Sequence, residues 1–440
     1  MPETNMTAKL NAQFLQVINS ISATIDLISP KTFDHHSQVA YIASQIAEEL
    51  RLSQAERMVI VLAGLLHDIG ALSLGERLES FELEFGLNGT ARQNHSVLGY
   101  LLLKQYHPLA KIAEIIKYHH VYWNEINLPC YQGKVPLGSL ILHLADRVVV
   151  LINKERDPVQ QSQAVLAKIE EKSGIMFSPS LVKVLKKIAQ KEYFWLDIAS
   201  SLRNNVIKEN LRSMSPKNKF DDFTGISRML CHIIDFRSPF TATHSSGVAV
   251  IAEALARIIK FSEDECLMMK SAGYLHDLGK LAIPDEILNK PAGLTGKEYN
   301  IIKSHAYYTH RALEKIKGFE TINTWASLHH ERLNGAGYPF HLQANELPLG
   351  SRIMAVADLF TALTEERPYR QGMSNEQAFG IIREMADKSE LDNTVVNILH
   401  NNLEPLSALR YHEQMAVAQN YRDLRVQSER LTAEMGVAAS

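Results

Sequence analysis

The sequence predicts an all-α fold in which two helical-bundle domains stand in tandem and are related by internal duplication. Apolar residues recur at spacings of three and four in VAVIAEALARIIKF and in DECLMMKSAGYLHDL, which is the period of an amphipathic helix. Alternating β-branched runs, the pattern of strands, are scarce. Residues 25–70 align without a gap on residues 234–279. A repeat of this length predicts two copies of one fold rather than one larger core.

Composition and charge narrow the class of protein. The chain has 440 residues, of which 46% are hydrophobic and 22% charged, as is typical of a soluble globular protein with more than one domain. Apolar runs are shorter than the roughly 18 residues of a membrane span, and a signal-peptide pattern is absent, so we expect a cytoplasmic protein without membrane contact. A net charge of −3 without a long basic tract argues against binding of duplex nucleic acid. Three scattered cysteines are too few for a disulfide framework or a thiolate zinc site.

The domain boundary is predicted in RSMSPKNKFDD, a polar and basic stretch without an apolar period. We assign residues 1–210 to the first domain and residues 211–440 to the second. The tail from Leu406 carries apolar residues near heptad spacing. It is predicted to be helical and to pack on its own domain; the alternative is pairing with a second chain in a homodimer.

Both copies keep the same seven titratable residues. In the second copy these are His244, His276, Asp277, His305, His329, His330 and Asp358, and in the first copy His35, His67, Asp68, His95, His119, His120 and Asp146. A lone histidine is usually an ordinary core or surface residue, but a duplicated core has no reason to keep seven titratable groups. Imidazoles with carboxylates suit first-row ions such as Fe, Mn, Zn, Ni or Co, and the missing thiolates disfavour structural zinc.

Seven ligands are more than one ion usually takes. If Asp277 bridges, one ion could be held by His244, His276, Asp277 and Asp358, and a second by His305, His329 and His330. Two ions about 3.5 to 4 Å apart clamp the attacking and leaving oxygens of a phosphoryl displacement. The residues alone therefore predict a phosphoester hydrolase.

The second copy also carries three motifs, YLHDLGK at 274–280, HHERLNGAGYP at 329–339 and ADLFTALTEERPYR at 357–370. In this order they resemble the HD-GYP family of bacterial cyclic dinucleotide phosphodiesterases, a branch of the HD metal-dependent phosphohydrolase superfamily. The resemblance extends from near 225 to near 405, and the first copy resembles a degenerate HD domain. The resemblance of the second copy implies that it hydrolyses cyclic di-GMP or 3′,3′-cyclic GMP-AMP to a linear dinucleotide.

The resemblance implies a role for individual residues. The seven residues of the second copy would hold two divalent ions, with Fe or Mn expected and Ni, Co or Zn as alternatives. A hydroxide that bridges the two ions would attack phosphorus, while Lys280 beside Asp277 would offset charge on the phosphoryl oxygens. Arg367 and Arg370 would contact the ligand phosphates. The signature loop near the ligand would be formed by Gly337, Tyr338 and Pro339, with Gly337 suited to a tight turn at positive φ.

The second copy departs from the family pattern at three positions. Phe240 stands where some members have a glutamate that binds a third ion, so we expect two ions. Gly247 replaces an arginine of many members, and Asn334 replaces an aspartate. We expect these two changes to affect substrate preference more than hydrolysis.

The first copy lacks the residues expected to bind phosphate. Ala71 matches Lys280, and Glu155 and Pro158 match the two arginines. The stretch VYWNEINLPCYQGK replaces the signature loop. We expect this domain to be structural or regulatory, with its own metal site, in which His35 rather than the adjacent His36 is the ligand; a second hydrolase is the alternative.

Two other functions remain as alternatives for the whole chain. One is an HD phosphohydrolase of another nucleotide, which would use the metal ligands but not the signature loop. The other is a non-catalytic sensor of a cyclic dinucleotide.

Overall fold

The fold of the chain is helical, as the sequence predicts. The computed structural model describes residues 12–27, 34–71, 94–214, 222–236, 243–290, 292–366 and 371–436. In these ranges the only β-structure consists of two isolated bridges, Ser173–Phe177 and Asn334–Gln343. None of the helices within them is long and apolar enough to cross a membrane.

The chain divides into two compact units, residues 1–220 together with 424–440, and residues 221–423. The helices of the first unit are α1 (Ala12–Asp26), α2 (His35–Glu49), α3 (Gln54–Leu66), α4 (Asn94–Lys104), α5 (Ala110–Lys117), α6 (Leu137–Leu151), α7 (Ser162–Glu171), α8 (Pro179–Ile188), α9 (Glu192–Ala199) and α10 (Arg203–Met214). Short 3-10 helices span His107–Leu109 and Trp123–Glu125.

The second unit repeats the order of the first. Its helices are α11 (Phe223–Phe236), α12 (His244–Ile258), α13 (Glu263–Leu275), α14 (Asp285–Leu288), α15 (Gly296–Leu313), α16 (Glu320–Ser327), α17 (Leu349–Thr364), α18 (Asn375–Asp387), α19 (Asn393–Asn401) and α20 (Leu403–Gly436). A 3-10 helix at Leu278–Ala282 follows α13. The repeat seen in the sequence is therefore a repeat of helices, with α2 and α3 matching α12 and α13.

The matching helices α3 and α13 begin with the same cap. The Ser262 hydroxyl accepts a hydrogen bond from the Glu265 N–H at 3.3 Å, and the Glu265 carboxylate accepts one from the Ser262 N–H at 2.9 Å. Ser53 and Glu56 form the same capping box at the start of α3. Such a cap contributes about 1 kcal/mol to its helix. In both units the capped helix ends immediately before the repeated pair of histidine and aspartate, which it thus places at a fixed point.

The last helix, α20, contributes to both units. Up to Asp423 it belongs to the second unit, and from Leu424 it groups with the first, where the Tyr131 hydroxyl donates to the Met435 carbonyl at 2.9 Å. The sequence predicts a domain boundary at residue 210 and a tail that packs entirely on the second domain. Heptad spacing identifies the buried face of a helix but does not identify the surface that covers it.

Candidate metal centre

The structure brings the seven predicted residues of the second unit together. His244 begins α12, His276 and Asp277 follow α13, His305 lies in α15, His329 and His330 follow α16, and Asp358 lies in α17. Their ligand atoms form overlapping groups in which all atoms lie within 4.8 Å of one another. Five separate segments therefore converge on one small centre.

The first of these groups combines two imidazoles and one carboxylate. His244 Nε2 lies 3.1 Å and His276 Nε2 3.8 Å from Asp358 Oδ1. The second group consists of His305, His329 and His330, with 3.3 Å between Nε2 of His305 and Nε2 of His329. The two groups consist of residues that the sequence predicts as two ligand sets, and a third group, His276 with Asp277 and His329, overlaps both.

Asp277 lies between the two groups. Its Oδ2 atom is 3.3 Å from His276 Nε2, and its Oδ1 atom is 3.4 Å from His305 Nε2. One carboxylate oxygen thus faces each group, which is the arrangement that a bridging carboxylate requires.

Three of the histidines are oriented by backbone carbonyls of the preceding turn. Nδ1 of His276 lies 2.8 Å from the Gly273 carbonyl, and the corresponding distance is 2.6 Å for His305 and for His329. A carbonyl oxygen only accepts, so Nδ1 carries the proton in each ring. Nε2 therefore presents its lone pair to the centre, as in proteins whose histidines bind metal ions. The residues present fit divalent ions.

Burial and neighbouring charges shift the pKa values of four of these seven groups toward the forms that bind metal ions. Burial would raise the pKa of Asp277, but His276 and the Lys280 ammonium hold it well below its usual range. Burial lowers the pKa of His329 to about 3, and it also lowers the pKa of His305 and of His330. These three imidazoles are neutral at pH 7, the form that binds metal ions.

Lys280 and the turn around it are fixed by α15. The Lys280 amine donates to Asp277 Oδ2 at 2.6 Å, and its side chain is 16% exposed. The Thr309 hydroxyl donates to the His276 carbonyl and accepts from the Gly279 N–H, both at 2.9 Å. A Cβ atom on Gly279 would lie 2.0 Å from the His305 carbonyl oxygen, so only glycine lets α15 approach this closely.

The signature loop packs on the centre through Tyr338, whose ring lies 4.7 Å from the His330 ring. Gly337 is required for space rather than for positive φ, because a Cβ atom there would lie 2.3 Å from the Arg332 nitrogen. The positive φ of the turn, 75°, is found at Gly335, so the expected reason for Gly337 was wrong. Pro339 follows Tyr338 through a cis peptide bond.

Two buried carboxylates that support the centre were not predicted from the sequence. Glu331 accepts hydrogen bonds from the N–H groups of Phe340 and Leu342, at 2.7 and 3.0 Å, and so holds the signature loop. Glu365 accepts from Nδ1 of His244 at 3.0 Å. Arg367 and Arg370, predicted to contact phosphate, lie outside the described residues, as does Phe240.

The first unit has a corresponding cluster. It brings together His35 with His67 and Asp146, and His95 with His119 and His120, while Asp68 Oδ1 lies 3.6 Å from His95 Nε2. His36 pairs with Asp26 instead, so the ring that faces the cluster is that of His35, as expected.

The two centres differ in charge and in access to solvent. Arg147, which replaces Leu359 of the second unit, is buried and donates from Nε to Asp146 at 3.1 Å. The side chain of Asp146 is 2% exposed, whereas that of Asp358 is 13% and that of His330 23% exposed. The second centre is therefore open to solvent, and the first is enclosed.

Comparison with known proteins gives consistent results. Residues 228–395 and residues 32–151 each match a family model described as an HD domain. The 3′3′-cGAMP-specific phosphodiesterase 1 of Vibrio cholerae is 30% identical over 403 residues, which cover 89% of this chain and 92% of that protein. A cyclic di-GMP phosphodiesterase of Pseudomonas aeruginosa is 38% identical over 149 residues, 34% of this chain and 35% of that protein.

A solved structure shares the fold over most of the chain. The crystal structure of a cyclic GMP-AMP-specific phosphodiesterase of Vibrio cholerae aligns with a TM-score of 0.60 and 25% identity, covering 88% of this chain and 97% of that one. The length of the match to the first relative includes both units. The chain belongs to the HD-GYP family of bacterial cyclic dinucleotide phosphodiesterases, with a second HD domain in tandem.

Proposed function

We propose that the second unit hydrolyses 3′,3′-cyclic GMP-AMP to a linear dinucleotide in a metal-dependent reaction. The observation that carries the proposal is Asp277, which directs one oxygen toward each of two histidine groups. The base preference rests on the relative that matches nearly the full chain and is described as specific for this messenger. Cyclic di-GMP is the second candidate, because a shorter relative is described as acting on it.

The proposed ion sites use the residues of the two groups. One ion would be held by His244, His276 and Asp358, and the other by His305, His329 and His330. Asp277 would bind both ions. Nitrogen and carboxylate ligands without thiolates favour Fe or Mn, with Ni, Co and Zn as alternatives. Bound divalent ions supply Lewis acidity toward a phosphodiester and lower the pKa of water.

Other residues of the second unit are proposed to bind and orient the messenger. Lys280 is the cation nearest to Asp277 among the described residues, and it would offset the negative charge that develops on the phosphoryl oxygens. Arg367 and Arg370 are proposed to hold the remaining phosphate through charge-assisted hydrogen bonds. Tyr338 offers a ring face beside the centre, and Lys303 lies 4.8 Å from its centroid.

The first unit is proposed to be regulatory or structural. Ala71 replaces the catalytic lysine, and the centre is enclosed. The described ligands of this centre are buried to a degree that disfavours contact with a phosphodiester. An ion held by this centre would stabilise the unit without taking part in hydrolysis.

The test compares matched variants of the two units. Protein purified without oxygen, with its metal content measured, is incubated with 3′,3′-cyclic GMP-AMP and with cyclic di-GMP. We expect the double variant His276→Ala/Asp277→Ala to lose hydrolysis of both, and the matched variant His67→Ala/Asp68→Ala to keep it, with circular dichroism as the control for folding. If the unaltered protein binds metal but consumes neither messenger, it is a sensor or acts on another nucleotide.

A further inference from the structure

The face of α20 that lies in the second unit contains two buried polar residues. Leu406, Val417 and Tyr421 are 3%, 3% and 6% exposed, and Arg410 and Gln414 between them are 7% and 8% exposed. The spacing of four, four, three and four residues puts all five on one side of the helix. Burying a guanidinium and an amide is unfavourable unless they are hydrogen-bonded, so their partners indicate what they do.

Their contacts lead to the metal centre. Arg410 Nη1 donates to Gln414 Oε1 at 2.5 Å, and Gln414 Nε2 lies 3.4 Å from Glu365 Oε2. The same Glu365 oxygen accepts the hydrogen bond from Nδ1 of His244. Gln414 Nε2 also lies 3.4 Å from the carbonyl of Thr243, the residue before His244. The amide therefore contacts both the partner of His244 and the backbone that carries it.

His244 is oriented in a different way from three of the other histidines. His276, His305 and His329 each use the carbonyl three residues earlier, which their own segment supplies. His244 is the first residue of α12, so no preceding turn of this helix exists to orient its ring. Its Nδ1 partner is the Glu365 carboxylate from beyond the end of α17, and the Gln414 amide lies 3.4 Å from the same carboxylate oxygen.

The missing side chain of Gly247 lets the Gln414 amide approach the first turn of α12. A Cβ atom on Gly247 would lie 3.0 Å from Gln414 Nε2, closer than a side chain there would normally come. The Gln414 amide therefore lies directly over this glycine. In the first unit Asn153 matches Glu365 in the sequence and is exposed, so the arrangement belongs to the second unit.

We propose that Gln414, held by Arg410, is a positioning residue that fixes Glu365 against His244 and thereby sets the metal affinity of the group formed by His244, His276 and Asp358. The inference rests on the proposed function, because it assigns a role toward the ions of that same centre. It also gives α20 a role in the centre, although this helix lies outside the three motifs that define the family resemblance.

The test replaces an amide by a thioether of similar length. Gln414→Met removes the contacts to Glu365 and Thr243 but keeps the volume, and Gln419→Met makes the same change at an exposed position of the same helix. Metal release is measured by competition with a chelator on the full chain, together with KM and kcat. We expect Gln414→Met to lower the affinity of the second unit for one ion about 10-fold or more, which is the usual effect of losing a partner that orients a ligand. KM should stay unchanged. Gln419→Met should match the unaltered protein.

A second variant separates positioning from general stability. Glu365→Gln should lower the affinity for the same ion. Combining it with Gln414→Met should cause little further loss of affinity, because the two residues act through one contact. Equal metal affinity in Gln414→Met and Gln419→Met would overturn the inference, as would a lower melting temperature with unchanged metal affinity. If the unaltered protein binds both ions but hydrolyses no messenger, the proposed function fails, while the comparison of the two variants still decides the role of Gln414.

Discussion

Replacing Glu331 by alanine should release the signature loop while leaving the metal ligands in place. The carboxylate is 2% exposed and accepts the N–H groups of Phe340 and Leu342, at 2.7 and 3.0 Å. A hydrogen bond to a charged group contributes about 1.5 to 3 kcal/mol. Losing two such bonds removes about 3 to 6 kcal/mol of local stability, which corresponds to a factor of about 100 or more in the closed population of the loop.

Hydrogen exchange of individual amides measures this effect directly. In Glu331→Ala the amides of Phe340 and Leu342 should exchange about 100-fold faster, and KM for the messenger should rise because Tyr338 is no longer held beside His330. Metal content should stay unchanged. The matched control is Glu384→Ala, which removes an exposed carboxylate of α18 that accepts a hydrogen bond from the Lys388 amine at 2.6 Å.

The control should leave exchange of the loop and KM as they are. Unchanged exchange at Phe340 and Leu342 in Glu331→Ala would refute the reasoning, since it would mean that the loop is held by other contacts. Loss of metal together with faster exchange would also refute it, because Glu331 would then support the ligands and not the loop. The first unit has Val121 at the matching position, consistent with the absence of a signature loop there.

Two further predictions concern a charge in the centre and a histidine away from it. Lys280→Ala should lower kcat about 100-fold with metal content unchanged, as expected for a cation that acts on developing charge; a large loss of metal would assign the lysine to folding of the centre. Burial, with a contribution from the charge of Arg228, lowers the pKa of His232 from 6.5 to about 4. Between these values the unfolded chain binds a proton that the folded chain does not, so stability should fall as the pH falls through this window. Urea unfolding at pH 7 and pH 5 should show about 2 kcal/mol of this loss in the unaltered protein and not in His232→Leu; an equal loss in both would show that other groups cause it.

The helical fold and the groups of candidate ligands could be predicted from the sequence, because both follow from a repeat with fixed spacings. The cap residue Ser262 and the histidine and aspartate that follow α13 are local features, and local features are readable from one chain. Glu331, Glu365 and Gln414 were missed because each contacts the centre through the fold, from segments without a repeated partner. For Gly337 the sequence suggested the wrong reason, since close packing against the Arg332 backbone leaves no trace in the sequence that differs from a need for positive φ.

The enclosed centre of the first unit has a consequence for exchange kinetics. With Asp146 2% exposed and Arg147 buried against it, an ion bound there can leave only when the surrounding helices separate, so its lifetime follows the opening rate of the unit. An ion held by the second centre, where the His330 side chain is 23% exposed, would exchange with the solvent without such an opening. Ions held by the two centres would therefore exchange with the solvent at different rates, and a brief exposure to chelator would empty the second centre while the first keeps its ion.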